Sequence, residues 1–305
     1  MRKIRRILPI LFAVLTISGI LMFAALRFYN PFRKYPSDTT ISAKPLLSEV
    51  RIPQSPGIKT FSNNGVTIDY SNSRLGYITI TTNITDQTMK FQVIFGDITY
   101  TYDLFTNQTL VVPLQSGAGT YSVRALRSVG GNSYASITST KIDAVPEDDL
   151  SNYLYPNQIV NYTIESLAVK KSFELVKDAD TELKRVYIIY NYVIRNIKYD
   201  TEKAKKADTT FMIPVVDETL TTQKGICFDY AALMATMLRV QQIPTKVVTG
   251  YVDVGYHSWV EVYIKDVGWI NPRLYFEKLK WKLVDPTFDA SGGFYLGSYQ
   301  NKFFY

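Results

Sequence analysis

The hydrophobic period of this chain changes once, at Val145-Pro146, and that change limits the fold more than any other feature. From about residue 60 to 143 the apolar residues alternate with polar ones in short runs, at 66–70, 77–82, 89–95, 98–105, 109–114, 120–127 and 133–142. The runs are rich in Val, Ile, Thr, Tyr and Phe, which suit a pleated, half-buried surface. Turn formers separate them: Asn63-Asn64-Gly65, Gly96-Asp97, Ser116-Gly117-Ala118-Gly119 and Gly130-Gly131-Asn132. Beyond Pro146 the period becomes helical. Leu183, Val186, Tyr187, Tyr190, Ile194 and Ile197 recur at steps of three and four, after Asp178-Ala179-Asp180 as cap residues.

A weaker helical pattern covers 164–176. A third helix runs from near Cys227 to about Gln241, with Ala231, Leu233, Met234, Met237 and Leu238 as its apolar face and Pro244 as its stop. Strand patterns follow at 245–251, 257–264 and 281–285. Two units are therefore expected. Residues 60–145 form an all-β sandwich of immunoglobulin-like or fibronectin type, without the inter-sheet disulfide. Residues 146–305 form an α+β domain with an antiparallel sheet. The sandwich reads equally as a binding module or as a spacer, since fold alone implies no ligand.

Ahead of both units, residues 7–28 are apolar except for Arg27 and follow the cluster Arg2, Lys3, Arg5 and Arg6. About 20 such residues cover the ~30 Å hydrocarbon core of a bilayer, so 1–28 is expected to be a transmembrane signal-anchor. Basic residues stay on the cytoplasmic side, which places the remainder outside the cytoplasm. The alternative is secretion after signal cleavage. Residues 29–59, with Pro31, Pro36, Pro45, Pro53 and Pro56, read as an extended linker. Sequons stand at Asn83, Asn107 and Asn161 and matter only in a host that glycosylates.

Composition removes several functional classes. Lys and Arg total 34 against 27 acids, but the first 34 residues hold seven bases and no acid, so the remainder balances. No basic groove is implied and no nucleic-acid partner is expected. One cysteine, Cys227, and one histidine, His257, exclude an intramolecular disulfide, a structural zinc site and thiolate-held iron. No cofactor or metal is expected.

Those two residues carry the candidate chemistry. Cys227 lies in Lys224-Gly225-Ile226-Cys227-Phe228-Asp229-Tyr230, where a helix is predicted to begin. Helix N-termini favour the thiolate, the nucleophilic form. Gly225 lets the chain turn tightly into the helix. An inert buried thiol is the commoner fate of a single cysteine, but His257 heads a strand thirty residues on. An imidazole there can pair with a thiol for acyl chemistry. His257, Trp259, Glu261 and Tyr263 are expected on one strand face, and Ser258, Val260, Val262 and Ile264 on the other. Asp285, in Val284-Asp285-Pro286-Thr287, ends a strand and can orient the imidazole if that strand lies alongside.

These segments resemble the transglutaminase-like family. The resemblance is carried by Gly225-Ile226-Cys227, by Ile243-Pro244-Thr245-Lys246-Val247-Val248-Thr249-Gly250-Tyr251, and by His257-Ser258-Trp259-Val260-Glu261-Val262-Tyr263 with Gly268-Trp269. Asp285-Pro286-Thr287 completes it. It implies a papain-related α+β core and a catalytic triad of Cys227, His257 and Asp285. The implied activity is acyl transfer or hydrolysis at peptide or isopeptide amides, on a protein or peptide substrate such as a cell-wall or surface protein. Residues 270–280 lengthen the usual connection and are rich in aromatic and basic side chains. The backbone N–H of Cys227 is the expected first oxyanion donor, Gln223 a candidate second, and Trp259 a candidate cleft wall. Asp229 and Tyr230 read as structural. The competing reading is a non-catalytic surface or adhesion protein whose sandwich binds and whose α+β domain is scaffold.

Overall fold

The structure is a computed structural model that describes residues 42–305 except 86, 208, 253–254 and 273–298. The expected membrane span and the Asp285 segment lie outside the described residues. Among the described residues no helix is long and apolar enough to cross a membrane.

Eight strands come first: β1 (Thr60–Asn63), β2 (Val66–Asp69), β3 (Tyr77–Thr82), β4 (Met89–Phe95), β5 (Ile98–Leu104), β6 (Leu110–Pro113), β7 (Gly119–Gly130) and β8 (Ser133–Ala144). They form two antiparallel sheets, ordered β1-β2-β3-β6 and β5-β4-β7-β8. Alternation decides which side chains meet. Val66 and Ile68, Met89, Phe91 and Val93, and Tyr100, Tyr102 and Leu104 point inward into one cluster shared by both sheets. Polar neighbours such as Lys90 and Gln92 are only partly buried. The turn at Asn64-Gly65 takes positive φ at both residues, the geometry a tight hairpin requires. Strand β1 was not legible, because its sequence Thr-Phe-Ser-Asn buries nothing fully.

The second layer comprises α1 (Leu167–Leu175), α2 (Glu182–Asn196), β9 (Lys198–Tyr199), α3 (Thr201–Ala207), α4 (Val216–Thr222), β10 (Lys224–Gly225), α5 (Cys227–Arg239), β11 (Thr245–Val252), β12 (Gly255–Ile264), β13 (Gly268–Ile270) and β14 (Tyr299–Phe304). Its main sheet is antiparallel, in the order β13-β12-β11-β14. Helix α5 packs against α1, α2, α4 and the sheet, so Phe228 through Arg239 are all buried. The cap of α2 is Thr181, whose hydroxyl accepts from the Lys184 N–H, rather than the preceding Asp178-Ala179-Asp180.

Residues 42–58 differ from an extended spacer. Val50 is buried in the helical cluster, with Ile52 packed against it, and the Arg51 guanidinium lies 5.6 Å from the Tyr155 ring centre. Val50 and Ile52 find a core and bind the segment down, while Leu46 and Leu47 stay exposed.

Strand β14 connects the layers. Its backbone pairs with β11, while Phe303 and the following Tyr305 reach the β-layer core, with ring centres 5.4 and 5.9 Å from that of Tyr100. Gly250 makes this possible. A Cβ there would stand 2.1 Å from the Gln300 carbonyl oxygen. Arg239, fully buried, donates to the carbonyls of Thr245, Tyr155 and Tyr305 at 2.6–2.9 Å. Burial lowers its pKa to about 10, and the carbonyls supply the partners a buried cation requires.

Candidate active site

Cys227 is the first residue of α5. Ile226 before it is extended, at φ −101° and ψ 176°, so the chain turns into the helix at the thiol. Strands β9 and β10 set the approach: the Lys198 N–H donates to the Gln223 carbonyl at 2.8 Å and the Asp200 N–H to that of Gly225 at 2.9 Å. Gly225 is required by contact, since a Cβ there would lie 2.7 Å from Asp229 Cβ.

Asp229 organises this corner. Its Oδ2 accepts the Ile226 N–H at 2.9 Å, reaching back across the helix start as a cap. Its Oδ1 accepts from Lys203 Nζ, on α3, at 2.7 Å. A carboxylate this close to a helix N-terminus opposes the field that favours a neighbouring thiolate, and the Lys203 ammonium offsets that charge. Tyr230 adds a third tie through its hydroxyl, which donates to the Ile197 carbonyl at 2.6 Å. Both residues are structural, as expected from the sequence.

The thiol is half-buried and opens into a cavity of about 390 Å³. Ala204 and Ala207 of α3, Phe211, Phe228, Thr249 and Tyr256 are among its walls. Tyr256 donates its hydroxyl to Thr249 Oγ1 at 2.7 Å. Burial is the main cause that raises the Tyr256 hydroxyl above the usual phenol range; the hydrogen bond to Thr249 pulls it back, and proximity to Cys227 adds to the rise.

His257 follows Tyr256 directly, is buried, and stands opposite Gly250 on β11. The cavity at the thiol thus borders the hairpin segment that bears the imidazole. His257 and Trp259 lie near parallel, ring centres 6.4 Å apart. Trp259 is buried with Val248 and Val252, packed against Phe304. Val260, Val262 and Ile264 instead join the cluster around α5. The two faces read from the sequence are therefore present, with His257 on the face that carries Trp259. On the outer side of β12, β13 pairs only with Val262, Tyr263 and Ile264. Among the described residues no strand lies along the edge beside His257.

Trp259 is core, packed away from the cavity lining. Gln223 is exposed, at the left-handed C-cap of α4 (φ 54°), and outside the cavity lining. Asp285 lies outside the described residues. The cavity walls from α3 and Phe211 were missed in the sequence. The signal present was small, Ala204 and Ala207 three apart between lysines. On the Trp259 side of the sheet, Glu261 faces Lys246 across the strands; burial pushes the carboxyl up and the ammonium down, and each partly restores the other.

Residues 170–272, about a third of the chain, match the family model of the transglutaminase-like superfamily. Kyphoscoliosis peptidases of Mus musculus and Homo sapiens are 30% and 29% identical over 129 residues, covering 38% of this chain. That match spans only 17% of either relative's length. Among solved structures, red sea bream transglutaminase is 15% identical, with a TM-score of 0.26, over 65% of this chain and 48% of that one.

Proposed function

We propose that the transglutaminase-like domain is a thiol enzyme in which Cys227 attacks an amide carbonyl, His257 moves the proton and Asp285 orients His257. The observation that carries this reading is the placement of the sole thiol at a helix N-terminus, open to a cavity that also borders the residue preceding the sole imidazole. Attack forms an S–C bond and a tetrahedral oxyanion, which takes a hydrogen bond from the Cys227 N–H. Collapse breaks the C–N bond, and His257 protonates the departing amine. The thioester then passes its acyl group to water or to a second amine. In this reading the imidazole, on the Trp259 face of β12, reaches the thiol past the edge of that strand. The substrate is a peptide or isopeptide of a surface or cell-wall protein. The enzyme works outside the cytoplasm, tethered by residues 7–28, with the two-sheet layer as an immunoglobulin-like spacer.

The test incubates the protein with a glutamine peptide and a labelled primary amine. Amine incorporation identifies transfer, and cleavage without incorporation identifies hydrolysis. Both should vanish in Cys227→Ala, and the pH profile should change in His257→Ala. Equal turnover by Cys227→Ala ends the proposal.

A further inference from the structure

The cavity at Cys227 contains a second kind of information, about which acyl groups reach the thiol. Its walls are Ala204, Ala207, Phe211, Met212, Ile226 and Phe228, closed by Tyr199, Tyr256 and Tyr305 and by the hydroxyls of Thr210 and Thr249. Among the described residues no lysine, arginine, aspartate or glutamate lines it. Three lysines lie on the same helix as the two alanines: Lys203 is held by Asp229 at 2.7 Å, Lys205 pairs with Glu202 at 2.8 Å, and Lys206 is exposed and outside the lining. Alanines three apart face inward, and their small side chains leave the space. Phe211 forms the rim: it is 63% exposed, and its ring centre is 6.0 Å from that of Phe228. An exposed phenylalanine beside an apolar hollow is surface that gains from being covered.

We infer that this cavity seats an uncharged aromatic or large aliphatic side chain of the acyl donor, next to the attacked carbonyl, and rejects charged ones. The occupant is assigned as the acyl donor because the nucleophilic sulfur forms part of the wall. The inference deepens the thiol-enzyme reading and rests on it. A charged side chain seated here would lose its water with no oppositely charged side chain among the described lining residues. A benzyl-sized group would instead cover the alanine stripe and the Phe211 rim. At about 390 Å³ the cavity is ample for such a group.

The experiment uses the single cysteine as its own reporter. The full chain is alkylated with iodoacetamide, N-benzyl iodoacetamide and iodoacetate, and the rates are compared within each variant so that intrinsic thiol reactivity cancels. Iodoacetate needs one correction, its own lower reactivity, taken from a free thiol standard. The expected benzyl-to-amide rate ratio is about tenfold or more above that standard, with saturation at high reagent, and the corrected iodoacetate rate falls below that of iodoacetamide. Ala207→Phe should bring the benzyl ratio to about one by filling the space. Phe211→Arg, at a position 63% exposed, should raise the relative iodoacetate rate. A wild-type benzyl ratio near that of the free thiol overturns the inference, as does a thiol closed to all three reagents. If the selectivity holds while no amide is turned over, the cavity's preference stands and the catalytic reading falls.

Discussion

At the residue scale, the Cys227 corner depends on a buried charge pair more than on the thiol itself. Removing the ammonium in Lys203→Met leaves Asp229 as a buried carboxylate beside the helix start. The expected cost is about 2 kcal/mol in denaturant unfolding, below that of a fully buried pair because Lys203 is partly exposed. The same variant should slow alkylation of Cys227 at pH 7 about threefold, since an unbalanced negative charge now faces the nucleophile. An unchanged rate would show that Asp229 acts only as a cap. The helix start at Cys227 was legible because Gly225, Cys227 and Asp229 are a local pattern. Lys203 was not, because its role is a contact between α3 and α5 that no spacing encodes.

At the element scale, the long helices and paired strands announced themselves through period, and the short elements did not. Helices α3 and α4 are seven residues each, and Thr-Glu-Lys-Ala-Lys-Lys-Ala offers no apolar stripe long enough to read. Strand β14 lacks a clean alternation, and its place is set from a distance by Gly250. Gly250→Ala should therefore force β14 away from β11. The expected loss is about 3 kcal/mol by chemical denaturation, the order of other severe steric insertions. Near-neutral stability in this variant would mean that β14 contributes little. His257 lies opposite the same glycine, so thiol reactivity in Gly250→Ala should fall along with stability.

Taken whole, the molecule concentrates tyrosines and one arginine where its two layers meet. Arg239→Leu removes the guanidinium donor from the Thr245 and Tyr155 carbonyls and leaves that of Tyr305 with the Val247 N–H alone, and should destabilise the protein by about 3 kcal/mol. Tyr102, Tyr153 and Tyr305 are shifted upward by burial, and Tyr121 is pushed up to about 12. A folded-state pKa above the unfolded value keeps its full contribution below pH ~10 and loses it as pH rises through the folded value. Unfolding free energy should thus be level in tyrosine's contribution up to pH ~10 and fall between ~10 and 12. Denaturant titrations across that window measure it, and a flat profile would mean that the phenols are wetter than their packing indicates. None of this was legible in the sequence, where the break at Val145-Pro146 separates two patterns and says nothing of how they adhere.

The strand shared between the layers has one more implication. Because β14 is stitched to one body by its amides and glued to the other by its rings, the two cannot swing about a hinge without tearing one set of bonds. The mouth beside Cys227 consequently keeps a fixed bearing relative to the β-rich half. Whatever holds that half in place also aims the opening, as a bracket aims a lamp.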